Sequence, residues 1–124
     1  MQQTTWAEAG PEYERRRLEA FRLAVDGERD DALIELTHGW NDLAPPPSLY
    51  LADVARVHYL AGDYEAALIA IDLNRGLGAV EQEALVLDCV RREPRLWRPA
   101  ARIALHTGWN RGLLRVLRVR ISRS

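Results

Sequence analysis

The chain has 124 residues, 48% of them hydrophobic and 28% charged, with a net charge of −1 at pH 7. That length gives one domain able to bury roughly two-thirds of its extended surface, and a single cysteine, Cys89, excludes an intrachain disulfide. The longest wholly apolar run, 66–71, is too short to span a bilayer, and Met1–Thr5 has no signal-peptide character, so a soluble cytoplasmic protein is expected.

The small net charge hides an uneven distribution. Residues 1–47 carry −5, residues 48–93 carry −4, and residues 94–124 hold eight arginines and no acid, a local charge of +8. Lysine is absent, and the exclusive use of arginine reads as the mark of a GC-rich, bacterial genome rather than of function.

Residues 1–10 are expected to form a flexible lead-in, because the capping-box pattern Thr5-x-x-Glu8 is cut short by Gly10-Pro11. Pro11 suits the first position of a helix over 11–26, whose apolar stripe is Leu18, Phe21 and Val25, with Gly27 ending it. A second helix over 29–43 carries Leu33, Leu36, Trp40 and Leu43 on one face, with Gly39 as a candidate end to its regular part. Ala44-Pro45-Pro46-Pro47 is a stiff linker.

Residues 48–76 read as two short helices around one tight turn. In the first, Leu51, Val54, Ala55, His58 and Tyr59 recur at helical spacing. Gly62 takes the left-handed position that stops it, and Asp63 caps the next helix, which packs through Ala67, Leu68 and Ile71 and ends at Gly76. Gly27 and Gly62 lie 35 residues apart, as do Ala32 and Ala67. Two independent markers thus agree on one period.

The string from Ala61 to Leu68, Ala-Gly-Asp-Tyr-Glu-Ala-Ala-Leu, resembles the turn of a tetratricopeptide repeat, a 34-residue helix–turn–helix unit. With Ser48 as first position, Val54 and Ala55 fall where that family prefers Leu and Gly. His58 falls where it prefers Tyr, Gly62 at the turn, and Ala67 at the small position. Leu51 stands in place of the usual Trp and Asn74 in place of Ala. The resemblance covers 13–81, more weakly to 124, and implies an all-α fold of about seven helices in stacked antiparallel hairpins forming a superhelix. Its groove would be lined by the first helix of each unit, here Glu14, Arg17, Phe21, Ala24, Leu49, Ala52, Arg56 and Tyr59. The Lys and Asn pair with which some members clamp a peptide carboxylate is replaced by Arg17-Leu18 and Ala52-Asp53, so that activity is not implied.

After the Leu77-Gly78-Ala79 link, a fifth helix over 80–92 is broken by Glu93-Pro94, and a sixth over 95–107 carries Trp97, Ala100, Ile103 and Ala104 before Gly108. The hairpins are therefore placed at 11–43, 48–76 and 80–107, followed by a capping helix over 110–121. A second frame, starting the third unit at 94 with Trp97 and Gly108 at the family's Trp and turn positions, gives the same helix boundaries. The capping helix sets Leu113, Leu114, Leu117 and Ile121 against Arg111, Arg115 and Arg118, with Val116 and Val119 widening the apolar arc.

No catalytic or metal pattern emerges. His38, His58 and His106 are far apart, Cys89 is alone, and Gly76-Leu77-Gly78 lacks the strand and third glycine of a dinucleotide site. His58, on a packing stripe, reads as a core histidine, and Cys89 as an inert thiol. The sequence thus points to a non-catalytic protein interaction or adaptor module without metal or cofactor, holding a peptide or helix of a partner protein. Its candidate contacts are Arg17, Phe21, Arg56, Tyr59, Arg111, Arg115, Leu117, Arg118 and Ile121, the last five also offering a surface to a second copy. The alternative is a nucleic-acid-associated regulatory protein acting through the arginine-rich C-terminal third, which would bind by sequence-blind counterion release.

Overall fold

The computed structural model describes residues 6–74 and 80–123, the side chains of 7, 80, 81 and 121–123 excepted. Gly76 and the Leu77-Gly78-Ala79 link lie outside the described residues, as does the side chain of Ile121. Among the described residues there are seven α-helices and no strand: α1 (Trp6–Val25), α2 (Arg29–Leu43), α3 (Pro47–Leu60), α4 (Tyr64–Asn74), α5 (Val80–Arg92), α6 (Trp97–Thr107) and α7 (Asn110–Arg123). A 3₁₀ turn at Pro94–Leu96 joins α5 to α6. The fold is all-α, built of stacked helices, and no helix among the described residues is long and apolar enough to cross a membrane.

Three chain reversals share one bonding pattern. At Gly27, Gly62 and Gly108, φ is +86°, +85° and +69°. The glycine N–H reaches back three residues and the following N–H reaches back five, as in Gly62 to Tyr59 (3.0 Å) and Asp63 to His58 (2.9 Å). Only a residue without Cβ enters that left-handed conformation freely, and both bonds satisfy carbonyls that the helix end would leave open. Asp63 then caps α4, its Oδ1 accepting from the Ala66 N–H at 3.1 Å. The first two turns lie side by side, bridged by Arg29 Nη1 to Asp63 Oδ2 at 2.6 Å.

These turns define the close antiparallel pairs α1–α2, α3–α4 and α6–α7, with α1 and α2 both packing on α3. The hairpin expected over 80–107 is therefore not the one formed. Gly108 follows Gly62 by 46 residues, and α5 stands between the second and third pairs, touching α3, α4, α6 and α7 without forming a close pair with any one of them. The reason is local. At the α5 end the chain meets Pro94, which has no N–H to close a glycine-type reversal, and the 3₁₀ turn instead sends it onward with Leu96 N–H on Glu93 O at 2.9 Å.

Helix α1 differs from expectation at both its start and its buried face. It begins at Trp6, so residues 6–10 belong to the domain and Pro11 lies inside the helix. Pro11 forgoes one bond near the helix start, while Trp6 sets its ring edge on Tyr13 (centroids 5.5 Å apart) and Ala9 is buried. Of the stripe Leu18, Phe21, Val25 only Phe21 packs against a core cluster: Leu18 is 55% and Val25 65% exposed. Ala9, Tyr13, Ala20 and Ala24 are buried instead, within an arc of about 60° on a wheel turning about 100° per residue. Small residues let α2 come close, and α2 answers with Gly39, buried mid-helix, where a Cβ would lie 3.3 Å from the Tyr13 ring. Gly39 is thus a packing position and not a helix end.

The main core lies among α3 to α7, around Leu68, Ile71, Val86, Cys89, Val90, Ile103 and Val116. A smaller cluster of Ala20, Ala24, Ala32, Leu36 and Val57 joins the first hairpin to α3. On α7 the buried anchor is Val116, with Val119 packed beside it, while Leu114 is 60% exposed and Leu117 half-buried. Of the expected arc, Leu113 packs against the core and Leu114 turns away from it, because the valine side, with Gly112 beneath the Trp109 indole, occupies the centre of the contact.

Candidate functional site

Between α1 and α3 lies a buried polar network. Asp53, 2% exposed, accepts from the Tyr13 hydroxyl at 2.9 Å and from Arg17 Nη2 at 3.0 Å and Nε at 3.2 Å, while Arg17 Nη1 reaches Glu14 at 3.0 Å. Burial raises the Asp53 carboxyl above its ordinary range, against the lowering effect of Arg17 and Tyr13. At Arg17 burial works against the charge, but Asp53 and Glu14 outweigh it and the guanidinium keeps its proton. This network locks the first hairpin to α3. Arg17 is committed to it, with its guanidinium 5.3 Å from the Phe21 ring centre.

From Phe21 the surface continues without a break. Arg56 of α3 lies over the other side of that neighbourhood, 6.0 Å from the Phe21 ring centre. It opens, with Tyr59, onto a cleft of about 560 Å³ whose walls are α3, α5 and α7. Glu83, Ala84, Asp88 and Arg91 line it from α5 and Arg115 from α7. One wall is fixed: the Tyr59 hydroxyl donates to Asp88, Arg92 Nε donates to the same carboxylate at 2.6 Å, and Arg92 also stands over the Tyr59 and Tyr64 rings at 5.9 and 5.8 Å. Those bonds hold the Asp88 carboxyl below its usual range, the Tyr59 hydroxyl contributing most, and raise the Tyr59 phenol in return.

The arginines divide into two kinds. Arg15, Arg16, Arg17, Arg22, Arg29, Arg92 and Arg95 each meet a carboxylate within 4.0 Å. Arg56, Arg91 and Arg115, the three that line the cleft, have no carboxylate within 4.0 Å among the described residues, Arg56 acting on Asp53 and Arg91 on Asp88 only at longer range; Arg98, Arg102, Arg111 and Arg120 likewise form no ion pair there, but none of these four lines the cleft. Asp88 is already bonded, and Glu83 has no cationic partner there either, so the cleft presents three unpaired cations and one unpaired anion.

Of the residues expected from sequence, Phe21, Arg56, Tyr59 and Arg115 share this surface, with Arg17 behind it. Arg111 and Arg118 are exposed on α7 but do not line the cleft, Leu117 is half-buried, and the Ile121 side chain lies outside the described residues. Sequence reasoning missed Asp53, Glu83, Asp88 and Arg91. Asp88 and Arg92 stand at i, i+4 on α5, a pairing that helical spacing alone could have indicated; nothing local marks Asp53, whose partners are 36 and 40 residues away.

His58 of α3 is half-buried, with Asp63 and Arg29 as its charged neighbours, and its Nδ1 is buried with no hydrogen-bond partner among the described residues. Burial lowers its pKa below the ordinary 6.5. A histidine held neutral in the fold gives its full contribution above pH 6.5, where the unfolded imidazole is also neutral, and loses it as pH falls and the unfolded chain takes up the proton first. Acidification from pH 7.5 to 5 should therefore lower the melting temperature, and His58→Gln should flatten that dependence. An NMR titration placing the folded imidazole above 6.5 would contradict this assignment. Cys89, wholly buried, has its thiol pushed up to about 12 by burial and by Asp88 and Glu93, which leaves it a packing residue.

Fold and cleft together define a stacked-helix domain with an open, arginine-lined cleft formed by three successive odd-numbered helices. No family model, no curated protein and no solved structure matches the chain.

Proposed function

We propose that this protein is a non-catalytic interaction module whose α3–α5–α7 cleft holds a segment of a partner protein. The observation that carries this reading is the pairing pattern above. Seven arginines meet carboxylates; of those that do not, Arg56, Arg91 and Arg115 come from three separate helices onto a single cleft. Unpaired guanidinium groups on a rigid wall are ready to accept a partner's hydrogen-bond acceptors without first breaking an internal bond. The 35-residue spacing of the first two glycine turns and the resemblance of residues 61–68 to a tetratricopeptide turn support the same reading by analogy of architecture.

Affinity capture with the intact chain, followed by sedimentation of the recovered complex, tests it. The expected result is one protein partner in stoichiometric amount, lost when Arg56 and Arg115 are both replaced by Glu. Recovery of a partner that binds this double variant unchanged, or turnover of a small molecule by the purified chain alone, would overturn the reading. Salt-sensitive binding of random DNA duplex with no protein partner would favour the nucleic-acid alternative.

A further inference from the structure

We infer that the segment held in the α3–α5–α7 cleft is acidic, presenting at least two carboxylates to Arg56, Arg91 and Arg115, and that Glu83 works against it. This rests on the cleft being a peptide-binding site and adds the chemistry of what it binds.

The three guanidinium groups come from three helices, so they surround the cleft instead of forming one stripe. Each is planar and offers paired N–H donors that match a carboxylate. Of the two carboxylates that line the cleft, Asp88 already takes bonds from Tyr59 and Arg92, and Glu83 is within 4.0 Å of none of the three arginines. The cleft therefore keeps an excess of cationic donors, and a ligand lacking carboxylates would leave them desolvated without acceptors. Such loss of hydration is costly for charged groups.

A polyphosphate backbone fits less well, because Glu83 and Asp88 stand among the arginines and would repel an unbroken row of phosphates. A polypeptide can place carboxylates at some positions and neutral residues at others. The cleft volume of about 560 Å³ suits a few side chains, and Tyr59 with Ala84 supplies apolar contact for the stem of each acidic residue.

The probe is a fluorescein-labelled ten-residue peptide alternating Glu and Ala, compared with its Gln and Ala counterpart and with random DNA duplex, all by anisotropy with the full chain. The Glu peptide should bind and the Gln peptide should bind at least tenfold more weakly. Arg91→Gln and Arg115→Gln should each weaken the Glu peptide by about three- to tenfold. Glu83→Gln should strengthen it, a change of opposite sign that loss of folding cannot produce. Equal binding of the Gln peptide would overturn the acidic specificity while leaving the peptide-binding reading in place. Binding of duplex alone, or no response to Glu83→Gln, would also overturn it, whereas failure of both peptides alongside capture of a protein partner elsewhere would remove the cleft itself.

Discussion

Asp53→Ala is expected to lower the unfolding free energy by about 3 kcal/mol, read by urea denaturation at pH 7. The substitution removes a carboxylate that is 2% exposed and leaves two donors, the Tyr13 hydroxyl and the Arg17 guanidinium, without their shared acceptor. Breaking a wholly buried pair costs about 3–5 kcal/mol, and Arg17 moderates this because it is 26% exposed in its side chain and retains Glu14. Tyr13→Phe should cost only about 1 kcal/mol, since Asp53 then keeps both Arg17 bonds. The ionisation of Asp53 adds a sign. Its folded carboxyl titrates above the unfolded value of 3.8, so its contribution is full below that pH and declines as pH rises through the folded value. Asp53→Asn, which keeps an acceptor and sheds the desolvated charge, should therefore be milder than the alanine variant at pH 7. Equal losses for Asn and Ala would mean that volume, and not the acceptor, is what the network needs.

The second large effect is expected at Gly112. A Cβ there would lie 2.0, 2.1 and 2.3 Å from three atoms of the Trp109 indole, too close for a small adjustment. The ring must leave its place against the main core, where it is partly buried, and the loss approaches at most the ~3–5 kcal/mol of truncating a core aromatic. Alanine recovers about 1 kcal/mol of intrinsic helix preference over glycine, which leaves a net loss of up to about 2–4 kcal/mol. The two contributions separate in a double variant. In a Trp109→Ala background the same Gly112→Ala change should become neutral or stabilising, because only the helix preference remains. An unchanged penalty without the indole would show that the α7 backbone itself is under strain. Tryptophan fluorescence of the single variant, shifted to the red, would report the displaced ring.

What residues near one another in sequence could decide was decided there. Gly27, Gly62 and Gly108 stop helices because the left-handed conformation is a property of one residue, and Asp63 caps α4 because its carboxylate reaches an N–H three residues on. Helical spacing likewise gave the seven helices and the all-α class. The face each helix buries was another matter. On α1 the large residues Leu18 and Val25 suggested one side, yet the helix packs through Ala20, Ala24 and Tyr13, because closeness to α2 depends on small residues meeting Gly39. On α7 the leucines outnumber the valines, yet Val116 is the residue whose shape fills the core. Periodicity weighs apolar residues by kind, whereas packing selects by volume and fit against a partner surface that the helix's own sequence does not contain. The pairing of α6 with α7 and the placing of α5 across them followed from the same dependence. So did the site. Arg56 and Tyr59 could be named from sequence, but that Asp88 is occupied while Arg56, Arg91 and Arg115 are left without a carboxylate is a property of three helices meeting, and charge neutralisation is settled by distance in space.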